Sequence, residues 1–112
     1  MKIPNADQAS VPSRKLTHYL LSLSHRDGQH KAAFFLSFGF TAEAWETLAR
    51  ALLLHARSHE VRENVPTPFG QTYVVEGPLP APDGRAPGVR AVWFVANGAQ
   101  AATFATAYPL DT

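Results

Sequence analysis

The run Thr41-Ala42-Glu43-Ala44-Trp45-Glu46-Thr47-Leu48-Ala49-Arg50-Ala51-Leu52-Leu53-Leu54-His55-Ala56 carries its apolar residues at one spacing. Trp45, Leu48, Ala49, Leu52, Leu53 and Ala56 follow i, i+3, i+4, i+7, i+8, i+11, a single stripe along an α-helix. Thr41 stands where it can cap that helix, and Glu43 and Glu46 occupy its first two turns, where the backbone dipole favours anions. Beyond Glu60 the hydrophobic period drops from about 3.6 to 2. This switch divides the chain into a helical first part and a β second part.

Working towards the N-terminus, Gly39 is placed as an αL stop for a short helix over about Gln29 to Phe38,. Asp27-Gly28 reads as turn chemistry after Ser24-His25-Arg26,. An earlier helix has Ser13 as a plausible N-cap and Leu16, Tyr19, Leu20 and Leu23 at i, i+3, i+4, i+7,. Residues 1–12 contain two prolines and no periodicity, and read as an extended arm.

Towards the C-terminus, a weak strand near Val61–Val65 ends at Pro66. Gln71–Glu76 alternates, with Tyr73 and Val75 on one face and Thr72, Val74 and Glu76 on the other,. Val89–Ala96 is an unbroken β-favouring run, and Asn97-Gly98 signals a hairpin before Ala101–Tyr108,. The expected fold is α+β: N-terminal helices packed on one face of a three- to four-stranded antiparallel sheet. The helical part is expected over residues 13–59 and the sheet over 60–109.

A chain of 112 residues corresponds to one domain at roughly 100–200 residues per domain. With 46% hydrophobic and 17% charged residues, its composition is that of a folded globule. Cysteine is absent, which excludes disulfides, thiolate zinc sites and a cysteine nucleophile. No apolar stretch approaches the ~20 residues that span a bilayer. Met1-Lys2-Ile3-Pro4-Asn5-Ala6-Asp7 has no apolar region of the secretory-signal kind,. No membrane association and a cytoplasmic location are therefore expected. A net charge of +1 neither requires nor forbids a polyanionic partner, and the basic residues form no contiguous run.

Chemistry points first to Gly28-Gln29-His30-Lys31. Two potential cations occupy the first turn of a helix, where exposed N–H groups favour negative charge. No carboxylate lies between Gly28 and Phe40 to compensate. A bound phosphate or phosphodiester would supply the missing charge. The alternative is that Asp27 caps the helix, leaving Lys31 solvated and His30 inert.

His55 and His59 are spaced i, i+4 and could chelate a metal, but no third ligand is evident and no metal is expected,. In the sheet, Tyr73, Arg90, Trp93, Thr103 and Thr106 can face a cleft, and the register of the last hairpin decides which share a face. An even-numbered loop around Asn97-Gly98 puts Trp93 and Thr106 together and Arg90 opposite; a one-residue change reverses this. Trp93 also reads as an ordinary core aromatic. There is no Gly-rich phosphate loop, no Gly-x-Ser-x-Gly elbow and no carboxylate pair at glycosidase-like spacing.

The order of several short motifs resembles a small bacterial family of domains of unknown function. These are Lys15-Leu16-Thr17-His18-Tyr19-Leu20-Leu21, then His25, Gly28, His30-Lys31-Ala32, Phe35 and Gly39-Phe40-Thr41. They continue with Thr67-Pro68-Phe69-Gly70, Tyr73, Gly77-Pro78-Leu79, Asp83-Gly84-Arg85, Val89-Arg90, Val92-Trp93 and Thr106-Ala107-Tyr108-Pro109. The same pattern is similar to the C-terminal toxin domains of contact-dependent inhibition and other polymorphic-toxin proteins, held to belong to the barnase–EndoU–colicin–RelE ribonuclease superfamily. Those domains usually carry a small residue or a proline where this chain has His30.

The resemblance implies a cofactor-free, metal-independent endoribonuclease, the toxin half of a toxin–antitoxin or toxin–immunity pair, with RNA (tRNA a candidate) as substrate and a cognate antitoxin or immunity protein as partner. It implies that Lys31, with the helix N-terminus, meets the non-bridging phosphate oxygens, and that His30 is base or acid, a role suited to imidazole at neutral pH. Thr106 and Tyr73 would position the phosphate or protonate the leaving group. Trp93 would stack a base, and Arg90 would add electrostatic stabilisation. The alternative is a non-catalytic binding module of the same fold.

Overall fold

A computed structural model describes residues 1–24, 26 and 29–110. The expected Asp27-Gly28 turn, the capping role of Asp27 and the position of His25 lie outside the described residues. Helices α1 (Ser13–Lys15), α2 (Gln29–Ser37) and α3 (Trp45–Ser58) precede strands β1 (Val61–Thr67), β2 (Gly70–Pro78), β3 (Gly88–Ala96) and β4 (Thr103–Pro109). The strands form one antiparallel meander in the order β1-β2-β3-β4. This is the α+β architecture that the change of period predicts.

Helix α3 buries Leu48, Ala49, Leu52 and Ala56 as its stripe requires. It starts later than expected. The Thr41 hydroxyl accepts the Ala44 N–H at 3.2 Å, so it closes a turn ahead of the helix, and the N-cap itself is Ala44. Glu43 thus precedes the helix and Glu46 alone stands in its first turn. Gly39 ends α2 with φ +99, the left-handed conformation that a residue without Cβ adopts freely.

The first helix departs furthest from expectation. Pro12, not Ser13, is the N-cap of α1, and α1 continues directly into a π-helical turn over Leu16–Leu20. The Leu21 N–H bonds the Leu16 carbonyl at 2.7 Å. Wider winding moves the buried stripe from the expected i, i+3, i+4, i+7 to i, i+4, i+5. Leu16, Leu20 and Leu21 are buried, whereas Leu23 is exposed. Single π-turns in otherwise ordinary helices are often found at functional sites.

On the sheet, Tyr73 and Val75 of β2, Val89, Ala91 and Trp93 of β3, and Phe104 and Ala107 of β4 are buried on the helix side. The arm is not loose. Ile3 is buried, and Ser10 bridges the edge strand β4 through bonds to Ala102 and Phe104. Strand β1 continues through Pro66 to Thr67, which an edge strand tolerates because one side of its ladder is unpaired. The β3–β4 connection is longer than a two-residue turn, since pairing begins at Phe94↔Thr103.

His55 pins α3 to the sheet. Its ring Nε2 lies 3.0 Å from the Gly77 carbonyl and 3.1 Å from that of Val89, a register pair of β2 and β3. Only a protonated Nε2 can donate to those carbonyls. His59 turns its Nε2 to the Pro78 carbonyl at 3.2 Å. Both rings are therefore committed to backbone, and among the described residues no group of three His, Asp or Glu stands where a metal ion could be held.

Burial is the main influence on the His55 imidazole; with the nearby His59 it outweighs the two carbonyl bonds and holds the pKa below its ordinary 6.5. The unfolded chain thus binds this proton more readily than the folded one. The stabilisation is complete above the unfolded value and is withdrawn as pH falls through the lower folded value. The urea midpoint should therefore drop on going from neutral to mildly acidic pH, and a His55→Gln variant should show a flatter profile.

Candidate functional site

Strand β4 carries a bulge that decides what faces outward. The hairpin starts with Phe94↔Thr103 and Trp93↔Phe104, but the next pair is Val92↔Thr106. One extra residue on β4 reverses the alternation. Phe104 and Ala107 can then both reach the core although they are three apart in sequence. Thr106 and Tyr108 emerge on the outer face, opposite Val92 and Arg90 respectively.

Lys31, in the first turn of α2, meets this face at the β4 edge. Its ammonium donates to the Tyr19 hydroxyl at 2.6 Å and to Thr106 Oγ1 at 3.2 Å. The Tyr108 ring centroid lies 5.6 Å from Nζ. Three elements that are remote in sequence thus converge: the π-turn, α2 and the β4 bulge. Among the described residues no carboxylate forms an ion pair with Lys31, and the first turn of α2 has no acidic residue.

Tyr19 and Thr106 are also wall residues of an open hollow of about 740 Å³, whose other lining residues are Pro12, Arg14, Lys15, His18 and Ala105. Lys31 stands behind the two hydroxyls rather than at the mouth. Burial acts to raise the Tyr19 phenol pKa, but bonds to Lys31 and Thr106 and the charges of Lys31 and Lys15 prevail and hold it below its ordinary 10.0. Removing the ammonium in Lys31→Met should move one of the three tyrosine titrations to higher pH. Ultraviolet difference spectra through the alkaline range would show it, and Tyr19→Phe should abolish that same step.

Not every residue singled out in the sequence joins this site. Tyr73 and Trp93 are paired across β2 and β3 and buried on the helix side. They belong to the core, with the sheet between them and the outer face. Arg90 shares the outer face, but its guanidinium is held by Glu76 at 2.8 Å and Glu63 at 3.2 Å, so its charge is largely neutralised. His30 is exposed beside Lys31 in the first turn of α2. Tyr19, read from spacing as part of a core stripe, is the member of this cluster that reading missed. Its hydroxyl was the available signal, because a phenol on an apolar stripe needs a polar partner.

Helix α1, the π-turn and the bulged edge strand make this an α+β domain with an open hollow, lined in part by Arg14 and Lys15, at one sheet edge. The chain belongs to the family described as Domain of unknown function (DUF6883), which matches residues 2–111. No curated protein matches it in sequence. In fold it is similar to a chain of the contact-dependent growth inhibition toxin–immunity protein complex from Klebsiella pneumoniae 342. The TM-score is 0.73 at 15% identity, over 96% of this chain and 97% of that one. No described helix is long and apolar enough to cross a membrane.

Proposed function

We propose that this chain is a metal-independent endoribonuclease, the toxin of a toxin–antitoxin or toxin–immunity pair, acting on RNA in the cytoplasm. The observation that carries this reading is the seating of Lys31. Its ammonium is bonded to two hydroxyls that line an open cationic hollow, an arrangement suited to charge developing on a phosphodiester. In the reaction, the ribose 2′-oxygen forms a bond to the adjacent phosphorus while the bond from phosphorus to the 5′-oxygen breaks. The 2′-hydroxyl proton passes to a base, and a proton is delivered to the departing 5′-oxygen. The products are a 2′,3′-cyclic phosphate and a 5′-hydroxyl.

The Thr106 hydroxyl addresses a non-bridging oxygen, and Lys31, bonded behind it, lends its charge to the same phosphate. His30, exposed in the same helical turn, is assigned the proton transfer, although His18 is the imidazole that lines the hollow. Tyr19, with its depressed pKa, is a second proton carrier at the same phosphate. Tyr73 and Trp93 support the sheet from behind, and Arg90 orders the outer-face carboxylates. The likeness to a toxin–immunity complex supports a cognate protein that covers the hollow, and tRNA is the candidate substrate.

Incubation of the purified protein with total tRNA in EDTA tests the reading. Fragments ending in cyclic phosphate, together with growth arrest on expression, are expected. The second reading, a non-catalytic partner of the same fold, is favoured by one observation: the complex that this chain resembles in fold contains an immunity protein as well as a toxin. Intact tRNA and harmless expression would establish that reading instead.

A further inference from the structure

Positive charge is unevenly partnered over this molecule. Lys2 is paired with Glu60, Arg62 with Glu76, Arg85 with Asp83, and Arg90 with Glu63 and Glu76. Arg14 and Lys15 are exposed, line the same hollow as Tyr19 and Thr106, and among the described residues have no carboxylate within ion-pair distance. Among the described residues no acidic side chain lines that hollow. Arg50 and Arg57 of α3 also form no ion pair among the described residues, so what sets the hollow apart is that its two cations share one concave wall.

We infer that the Arg14–Lys15 wall is a phosphate-backbone subsite that holds the single-stranded RNA flanking the scissile phosphodiester, with the phosphate at Lys31 next along the strand. This inference rests on the endoribonuclease reading for its substrate and adds the residues that grip it. The volume of about 740 Å³ falls in the range that accommodates a compact ligand, roughly 300–1,000 Å³, and so admits a nucleotide rather than a lone ion. Polar and apolar walls suit the occupant: Arg14 and Lys15 offer donors to phosphate, while Pro12 and the faces of His18 and Tyr19 offer surfaces against which a base can lie. The π-turn makes the wall, because its wider winding sets His18 and Tyr19 on the hollow while Leu16, Leu20 and Leu21 go to the core. RNA is preferred to an acidic protein because the hollow is concave and its cations share it with the Tyr19 and Thr106 hydroxyls, which can bond phosphate oxygens.

The test uses a short fluorescein-labelled RNA with 2′-O-methyl sugars throughout, which binds but has no 2′-hydroxyl to attack. Anisotropy titrations over a series of salt concentrations compare wild type, Arg14→Gln/Lys15→Gln, and the charge-matched control Lys2→Gln/Arg62→Gln at the far edge of the sheet. The double variant should bind more weakly, with a slope of log affinity against log salt that is shallower by about 1.4, two contacts at ~0.7 each on a single strand. The control should keep the wild-type slope. Equal slopes in wild type and Arg14→Gln/Lys15→Gln would overturn the subsite, as would an equal fall in the control. Because the probe cannot be cut, binding that depends on Arg14 and Lys15 in a protein that leaves tRNA intact would refute the nuclease and keep the subsite. Cleavage that persists with salt slopes indifferent to Arg14 and Lys15 would do the reverse.

Discussion

RNA cleavage by Lys31→Ala should fall about 10²- to 10³-fold relative to wild type at saturating RNA, the usual effect of deleting one donor to a charge that develops in the transition state. The size of the expected loss follows from the geometry. Nζ is the only charged atom in direct contact with both Tyr19 and Thr106 among the described hydrogen bonds, so its removal takes away the positive charge and one hydrogen bond from each hydroxyl. The phenol pKa should return towards its ordinary value at the same time, since Lys31 contributes to its depression both by hydrogen bond and by charge. Lys31→Met separates these effects from packing, because it keeps an apolar stem of similar length. It should be as inactive as the alanine variant while unfolding at nearly the wild-type urea concentration. Single-turnover cleavage measured beside urea unfolding reads both quantities. A Lys31→Met protein that cuts RNA at the wild-type rate would remove this side chain from the mechanism.

The halves of the fold were legible because each rests on a pattern that burial enforces directly. Six stripe positions from Trp45 to Ala56 specify α3, and alternation from Gln71 to Glu76 places Tyr73 and Val75 on the covered side. The start of the cationic helix was legible for a different reason: Lys31 breaks a local electrostatic rule, and such violations concentrate at sites. What stayed hidden were two single-residue irregularities. The π-turn after Lys15 converts Tyr19 from a stripe residue into a wall of the hollow, and the β4 bulge turns Thr106 away from Trp93 and towards Arg90's side. Neither has a sequence signature of its own. Both arise because tertiary packing favours burying Leu20 with Leu21, and Phe104 with Ala107, over keeping a regular ladder. The site is assembled at these two irregularities, so its full membership could not be read from periodicity.

Trp93→Ala should destabilise the fold by about 3–5 kcal/mol, the range for removing a large buried aromatic. Against a total of about 5–15 kcal/mol for a small domain, that leaves little. The indole is 0% exposed, sits opposite Tyr73 on the neighbouring strand, and meets Phe104 edge-on with ring centroids 5.5 Å apart. Its Nε1–H is buried with no hydrogen-bond partner among the described atoms, an arrangement that costs free energy. Trp93→Phe keeps most of the apolar burial and removes that unpaired donor, so it should lose far less than the alanine variant. The pair of substitutions also separates packing from base stacking. If Trp93 acts only by packing, Trp93→Phe cleaves RNA as fast as wild type per folded molecule, and the activity lost in Trp93→Ala tracks the fraction unfolded in urea titrations. A Trp93→Phe protein that unfolds at the wild-type midpoint yet fails to bind the 2′-O-methyl RNA would show instead that the indole reaches the ligand, and would contradict its burial behind the sheet.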